Sequence, residues 1–236
     1  MYQLLTGPGL FVRKGTFDAG IIDCVIRANE YRLPAELDGV VIDLGGHIGS
    51  FAYHAASKDA TVYSYEAHPW NVPLLVANAI MAHSLGYAIY PHWCAVTGEQ
   101  VDYAVGVTRN FPRQWDMQNT GGVGIALKQG DMLDVPTCPI ADLPNLMPIL
   151  PETPSWTWEQ VTLIKMDIEG AEYDILENLP YRVPQIVGEY HLTGSYDSHE
   201  VAQNALQSFL PGYTLEFSFD TVHRLGLFFA KLSPTP

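Results

Sequence analysis

A group of carboxylates beside a histidine is the first feature of this 236-residue chain that could do chemistry. Its members follow two apolar runs and are Asp167, Glu169, Glu172, Glu189 and His191. A neutral imidazole can take a proton from a hydroxyl near neutral pH, and a carboxylate can do the same. The group therefore predicts general-base chemistry, with Asp167, Glu169 and His191 as the candidate catalytic residues.

Other interpretations of these residues stay open. Acids in the first turn of a helix are stabilised by the helix dipole, by about 0.3–1 kcal/mol each, and need no substrate. A histidine at the end of a strand often does no more than accept or donate a hydrogen bond. The set could also hold a divalent metal through carboxylate oxygens and an imidazole nitrogen. The chemistry that we assign to it is proton transfer without a metal.

A second feature is a glycine loop where an apolar run gives way to a helical pattern. It contains Gly45, Gly46, His47 and Gly49, and Asp43 precedes it with one residue between. Glycines let a ligand approach the backbone, and a helix N-terminus offers unpaired N–H groups. The spacing differs from the G-x-G-x-x-G of dinucleotide sites, and Asp43 would repel a pyrophosphate. A ligand bearing an amino acid and a sulfonium fits better; an ordinary tight turn is the alternative.

The acid that follows this loop is Glu66, which ends the next apolar run 21 residues after Gly45. A carboxylate at that place accepts hydrogen bonds from ribose hydroxyls in nucleoside-binding α/β folds. A solvated strand end is the alternative. Loop and acid together predict a cofactor site of six residues: Asp43, Gly45, Gly46, His47, Gly49 and Glu66.

Both groups of residues need a parallel sheet to bring them to one edge. The apolar runs predict strands, and the segments between them predict helices, in alternation: strands at 40–44, 61–66, 88–96, 161–167 and 185–192, and helices at 48–57, 71–83, 170–178 and 199–210. This order is typical of a parallel sheet with helices on its faces. Ligands bind at the carboxyl ends of such strands, where both groups lie. Two last strands, at 214–219 and 225–232, are predicted to pair antiparallel.

The chain outside this alternation has two parts. Residues 1–39 precede the first strand and are predicted to form an entrance or lid segment, while 40–236 form one domain. From about 101 to 151, Pro and Gly recur between short β-like runs. This composition predicts a β-rich insertion, with a hairpin and a Gly-rich turn at 120–122.

Composition excludes several classes of protein. With 12 Lys+Arg against 26 Asp+Glu, a net charge of −14 and no basic run, the chain is a poor nucleic-acid partner. An apolar content of 47% opposes disorder. Without a long apolar run or a signal-peptide pattern, we expect a soluble, cytoplasmic protein with no membrane partner. Three widely spaced cysteines predict neither a disulfide framework nor a zinc site; homo-oligomerisation stays open.

These residues resemble the FkbM family of S-adenosylmethionine-dependent methyltransferases. The matching segments are 12–18 with 29–31, 41–49, 65–69 with Asn71 and Asn78, 163–172, and 189–191. The resemblance implies the class I methyltransferase fold: a Rossmann-like seven-stranded sheet, mostly parallel with one antiparallel strand, with helices on both faces. Gly46 stands where alanine is usual in the family, so we expect a more flexible loop.

The resemblance also implies a function. S-adenosylmethionine would be the cofactor, and a small hydroxylated metabolite or sugar the acceptor. We expect in-line displacement at the sulfonium methyl by a substrate oxygen, with Asp167 or His191 taking the proton. Two alternatives are a catalytically inactive nucleoside-binding or scaffold protein and an NAD-dependent oxidoreductase. Aromatic residues that could wall the acceptor pocket, or only pack in the core or on the surface, are Trp115, Trp156, Trp158 and Tyr190.

Overall fold

A seven-stranded sheet lies at the centre of the computed structural model, which describes residues 2–4, 9–101, 105–108, 113–114, 117–118, 132–147, 149–220 and 225–234. The strands are β1 Val40–Leu44, β2 Thr61–Glu66, β3 Ala88–Trp93, β4 Val161–Met166, β5 Gln185–His191, β6 Tyr213–Asp220 and β7 Leu225–Leu232. They are ordered β3-β2-β1-β4-β5-β7-β6. All are parallel except β7, which runs antiparallel to both neighbours. The predicted sheet is confirmed.

Helices cover both faces of this sheet. In the described part of the chain the α-helices are α1 Asp18–Ile22, α2 Ser50–Ala56, α3 Val72–Ser84, α4 Glu172–Glu177 and α5 His199–Phe209. A π-helical turn, Asp23–Arg27, continues α1, and 3-10 turns lie at Ile140–Asn145 and Trp158–Gln160. No described helix has both the length and the apolar character needed to span a membrane.

The core is divided by the sheet because successive residues of a strand point to opposite faces. Ile42 of β1 belongs to the hydrophobic cluster that includes Leu206 of α5. Its neighbour Val41 belongs to a second cluster, with Phe51 of α2 and Ala79 of α3. The unbroken apolar run of β1 therefore reflects burial on both faces, as expected for a central parallel strand.

Short strands extend the structure beyond the main sheet. They pair as Tyr2–Leu4 with Phe11–Arg13, Ala95–Thr97 with Thr137–Pro139, Val105–Thr108 with Met132–Val135, and Arg113–Gln114 with Met117–Gln118. The last three pairs lie in or border the predicted β-rich insertion. The Gly-rich turn predicted at 120–122 and the pocket wall predicted at Trp115 fall outside the described residues.

One predicted element differs from the structure. The strand expected at 88–96 divides after Trp93, where the N–H of Cys94 donates to the carbonyl of Glu66 and the N–H of Ala95 donates to that of Pro136. The apolar run therefore contributes strands to two sheets. β3 ends where the next residues, Ala95–Thr97, pair with the distant segment Thr137–Pro139. Pro91 is tolerated within β3 because this strand lies at the edge of the sheet.

Gly188 of β5 lies where the backbones of β4 and β5 approach each other closely. A Cβ at this position would lie 2.2 Å from the carbonyl oxygen of Met166, a backbone atom of β4. We expect Gly188→Ala to lower the free energy of unfolding by about 1–3 kcal/mol, measured by urea denaturation. Gly20→Ala in α1 is the matched control, because its Cβ would meet nothing within 4 Å. Equal stability of the two variants would contradict this account of the β4–β5 contact.

Candidate active site

A cavity of about 450 Å³ lies at the carboxyl ends of the central strands. Its volume is in the range usual for small-molecule sites. Members of both predicted groups line it: Gly45, Gly46, His47, Glu66, Asp167 and Glu169. Glu189 lines it too, whereas the other predicted residues, Asp43, Gly49, Glu172 and His191, lie outside this lining. The structure thus brings the glycine loop (residues 45–49) and the carboxylates to one cavity.

The glycine loop is shaped by close backbone contacts. The N–H groups of Gly45 and Gly46 both donate to the carbonyl of Tyr65, at 2.9 Å. Gly45 has a φ of +79°, and a Cβ there would lie 1.9 Å from the backbone oxygen of Asp167. Gly49, at the start of α2, has a φ of +92°. At Gly45 and Gly49 the left-handed backbone favours glycine.

Gly46 is glycine for a different reason. It does not have a positive φ, but a Cβ there would lie 2.1 Å from the hydroxyl oxygen of Ser64. That hydroxyl donates to Asp43 Oδ2 at 2.7 Å. The glycine therefore makes room for a buried hydroxyl–carboxylate pair.

Glu66 is held rigidly by the loop that it faces. Oε2 accepts a hydrogen bond from the N–H of His47, and Oε1 accepts one from the N–H of His68, each at 2.7 Å. The Asn71 amide adds a contact to Oε1 at 3.3 Å. Burial raises the pKa of Glu66, although these hydrogen bonds oppose the rise. Since a carboxylate oxygen can accept more than one hydrogen bond, Glu66 still fits the ribose hydroxyls of a nucleoside.

Beneath the loop lies Lys165, a residue to which the sequence analysis gave no role. Its ammonium group is 3.2 Å from Asp43 Oδ1 and donates to the carbonyls of Gly45, at 2.8 Å, and Leu44, at 3.3 Å. Burial lowers its pKa, but Asp43 and Asp167 raise it more, so the net pKa is above the ordinary value. Asp43 is thus a buried support for the loop. A lysine inside an apolar strand was the signal that could have identified it.

The N-terminal segment (residues 1–39) is attached to the same loop. The Arg13 guanidinium forms two contacts with the fully buried carboxylate of Asp18, at 2.9 and 3.0 Å. It also donates to Asn71 Oδ1 at 2.8 Å and lies 3.1 Å from His47 Nε2. Residues of this segment line the cavity: Phe17, Gly20, Ile21, Cys24, Val25, Glu30 and Tyr31. The arginine–aspartate pair was missed because it gains its meaning only from tertiary contacts.

Four carboxylates form the acidic end of the cavity: Glu30, Asp167, Glu169 and Glu189. Burial, and then repulsion from Asp167, raises the pKa of Glu30 to about 7 and that of Glu189 well above its ordinary value. Burial also raises the pKa of Glu169 to about 7. The Tyr31 hydroxyl donates to Asp167 Oδ2 at 3.4 Å. Glu30, Glu169 and Glu189 therefore keep their protons to a higher pH than exposed carboxyl groups do.

His191 lies behind this end and contacts three acids. Its Nδ1 is 2.8 Å from Glu172 Oε1, and its Nε2 is 3.3 Å from Glu169 Oε2 and 3.7 Å from Glu189 Oε2. Burial lowers the pKa of the imidazole, but Glu172 and Glu169 raise it by a larger amount, so the net pKa is about 10. An imidazole that is already protonated cannot accept a proton. This geometry opposes the predicted role of His191 as a general base.

The described aromatic residues predicted to wall the acceptor pocket lie elsewhere. Tyr190 is fully buried, and its ring packs edge-on against His199. Trp156 packs against Trp158 and lines a separate cavity of about 240 Å³. Because Tyr190 alternates with Glu189 and His191 along β5, it points to the other side of the sheet. The apolar lining of the 450 Å³ cavity comes instead from the N-terminal segment and from residues beyond it, such as Phe51 and Ile168.

Strand order, glycine loop and Glu66 together define the class I fold of S-adenosylmethionine-dependent methyltransferases. The chain belongs to the family described as "Methyltransferase FkbM domain", whose model matches residues 43–211. This match confirms the resemblance found in the sequence, and with it S-adenosylmethionine as the cofactor. The residues present fit that group, because Glu66 faces the cavity and the glycines leave its floor free of side chains.

Known proteins similar to this chain include one curated relative, "Methyltransferase 1" of Beauveria bassiana (strain ARSEF 2860). It is 27% identical over 168 residues, which are 60% of this chain and 59% of the relative. The chain thus spans less than two thirds of that relative's length.

Two solved structures share the fold. The Pyrococcus abyssi tRNA (uracil-54, C5)-methyltransferase, in complex with S-adenosyl-L-homocysteine, has a TM-score of 0.50 and 9% identity, over 98% of this chain and 44% of that one. The M. jannaschii tRNA m1G37 methyltransferase has a TM-score of 0.50 and 11% identity, over 100% of this chain and 57% of that one. At these identities the similarity shows the fold alone.

The pairing of Gly46 with Ser64 can be tested by a double-mutant cycle. Gly46→Ala alone should cost about 1–3 kcal/mol of stability, since the new methyl group meets the Ser64 hydroxyl. Ser64→Ala alone should cost about 1 kcal/mol, because Asp43 loses a hydrogen bond. The double variant should be more stable than the sum of the two costs predicts, as measured by urea denaturation. Strict additivity would contradict steric coupling between the two positions.

The raised pKa of Glu30 predicts how stability varies with pH. Because the folded chain holds this proton up to about pH 7 and the unfolded chain releases it near 4.5, stability falls as pH rises between these values. Glu30→Gln, which mimics the protonated form, should remove part of that fall and gain up to about 2 kcal/mol at pH 8. Thermal unfolding of both proteins from pH 4 to 8 measures the difference. A gap that does not vary with pH would refute the assignment.

Proposed function

We propose that the protein transfers the methyl group of S-adenosylmethionine to a hydroxyl oxygen of a small acceptor, a hydroxylated metabolite or sugar. The observation that carries this proposal is the single 450 Å³ cavity that joins the glycine loop and Glu66 to the acidic end. Bound S-adenosylmethionine supplies a methyl group on a positively charged sulfonium. Most of the rate enhancement then comes from holding the two reactants in near-attack geometry.

The cofactor side of this proposal rests on the glycine loop. Glu66 accepts the ribose hydroxyls, and its position is fixed by the N–H groups of His47 and His68. Lys165 holds the carbonyls of Leu44 and Gly45 from below, which keeps the loop pressed against the end of β4. The site is therefore organised before any ligand binds, and little reorganisation is needed on binding.

The acceptor side rests on Asp167. It stands at the tip of β4, lines the cavity, and has a side chain that is 29% exposed. Its contacts with Tyr31 and Lys165 both use Oδ2. No hydrogen bond to Oδ1 is found among the described residues, so this oxygen can take the hydroxyl proton. Glu169 adds a second carboxylate beside it, while His191 supplies positive charge instead of acting as the base.

The nature of the acceptor follows from charge and shape. A net charge of −14 and a carboxylate-lined acceptor end oppose a phosphate-rich acceptor such as RNA. The N-terminal segment adds an apolar wall from Phe17 and Ile21, and we extend the proposal to its role as a lid over the acceptor. A neutral or cationic molecule with an apolar part and a hydroxyl fits these features.

The test is a methyl-transfer assay on a panel of hydroxylated metabolites and sugars. We expect a gain of one methyl mass on an acceptor, with equal release of S-adenosylhomocysteine. Asp167→Asn should lower kcat by about 10²–10⁴-fold while S-adenosylmethionine binding, measured by calorimetry, is retained. Glu177→Gln, an exposed acid in α4, is the matched control.

Two results would count against the proposal. If Asp167→Asn keeps wild-type turnover with intact cofactor binding, the base is wrongly assigned. If the wild-type chain binds S-adenosylmethionine but methylates no acceptor in the panel, the inactive nucleoside-binding protein is the better account.

A further inference from the structure

We propose that a divalent cation binds at the acidic end, between Asp167, Glu169 and His191. One donor atom from each of these residues lies within 4.8 Å of the other two. The proposal goes beyond methyl transfer, which requires no metal in its simplest form. It also reverses the expectation from the sequence that this group works without one.

The spacing of the donor atoms fits one metal ion. At the Mg²⁺–oxygen distance of about 2.1 Å, neighbouring ligands of an octahedral ion lie about 3 Å apart. His191 Nε2 is 3.3 Å from Glu169 Oε2 and 3.7 Å from Glu189 Oε2. An inward movement of Asp167, Glu169 and His191 would therefore bring three protein ligands onto one ion, with water in the remaining positions. Glu189, on the same strand as the histidine, lies beside this set without belonging to it.

The histidine is oriented as a metal ligand requires, and a cation bound at Nε2 would displace the proton that the imidazole otherwise holds there. Its Nδ1 is 2.8 Å from Glu172 Oε1, which leaves Nε2 facing the carboxylates of Glu169 and Glu189. Metal-binding histidines commonly hold a carboxylate on the second nitrogen in this way. Glu172 is fully buried, and its Oε2 has no hydrogen-bond partner among the described residues.

The charge of the site points the same way. The four carboxylates of the acidic end outnumber the cations beside them. These cations are His191, which contacts Glu169 and Glu189, and the ammonium group of Lys165, which is closer to Asp43, at 3.2 Å, than to Asp167, at 3.9 Å. A divalent cation would balance this excess. Carboxylate oxygens with one imidazole suit Mn²⁺ or Mg²⁺ better than metals that prefer thiolates. A cation there would also lower the pKa of an acceptor hydroxyl, while the second oxygen of Asp167 stays free for the proton.

The experiment is a Mn²⁺ titration of the full chain after treatment with EDTA and dialysis. The signal of free Mn²⁺ in electron paramagnetic resonance reports the bound fraction. We expect one saturable site per chain, weakened at least tenfold by Asp167→Asn and by Glu169→Gln. Glu177→Gln should bind Mn²⁺ as the wild type does. Circular dichroism shows whether each variant is folded, so a loss of binding can be assigned to the site.

The absence of saturable binding at millimolar Mn²⁺ would overturn the proposal. So would a site whose affinity is unchanged in both folded variants, because the ion would then lie elsewhere. The titration contains neither methyl donor nor acceptor. Its failure would therefore leave the proposed methyl transfer standing, and failure of the methyl-transfer assay would leave the cation site standing.

Discussion

The buried ammonium group of Lys165 is the interaction on which the rest of the site depends. It joins two neighbouring central strands by contacting Asp43 at the end of β1 and Asp167 just beyond β4, and it also holds the carbonyl of Gly45. A charge that is removed from water is stable only when it is well paired, so loss of either carboxylate would leave the other groups unsatisfied. The cofactor and acceptor halves of the cavity consequently both depend on the ammonium group of Lys165.

The two ends of the cavity differ in how their buried acids are stabilised. At the cofactor end, Glu66 is buried but satisfied, because backbone N–H groups reach both of its oxygens. At the acidic end, acids from three parts of the chain are brought together with too few donors. His191 relieves part of that repulsion by holding Glu169 and Glu172 on its two nitrogens. Such unfavourable charge density is typical of places where a ligand or a reacting group completes the balance.

Much of the fold was predictable because it depends on local patterns. The run 40–44 is apolar throughout since β1 is buried on both faces, and the strand at 225–232 was placed at its observed bounds. The site was predictable only where position along a strand decides it, as for Asp167. The protonation of His191 and the space needed at Gly46 depend on residues far away in the sequence, Glu169, Glu172 and Ser64 among them. Nothing in a single segment reveals those contacts, and the end of β3 was misjudged for the same reason.

The attachment of Arg13 has a consequence for how the chain responds to its ligand. This side chain touches Asn71 and lies beside His47, both of which also hold Glu66. Thermodynamic linkage is reciprocal. If docking of the N-terminal segment increases the affinity for the cofactor, then cofactor binding stabilises the docked segment by the same free energy. Slower amide hydrogen exchange around Arg13 after addition of the cofactor would therefore report how much of the site is occupied.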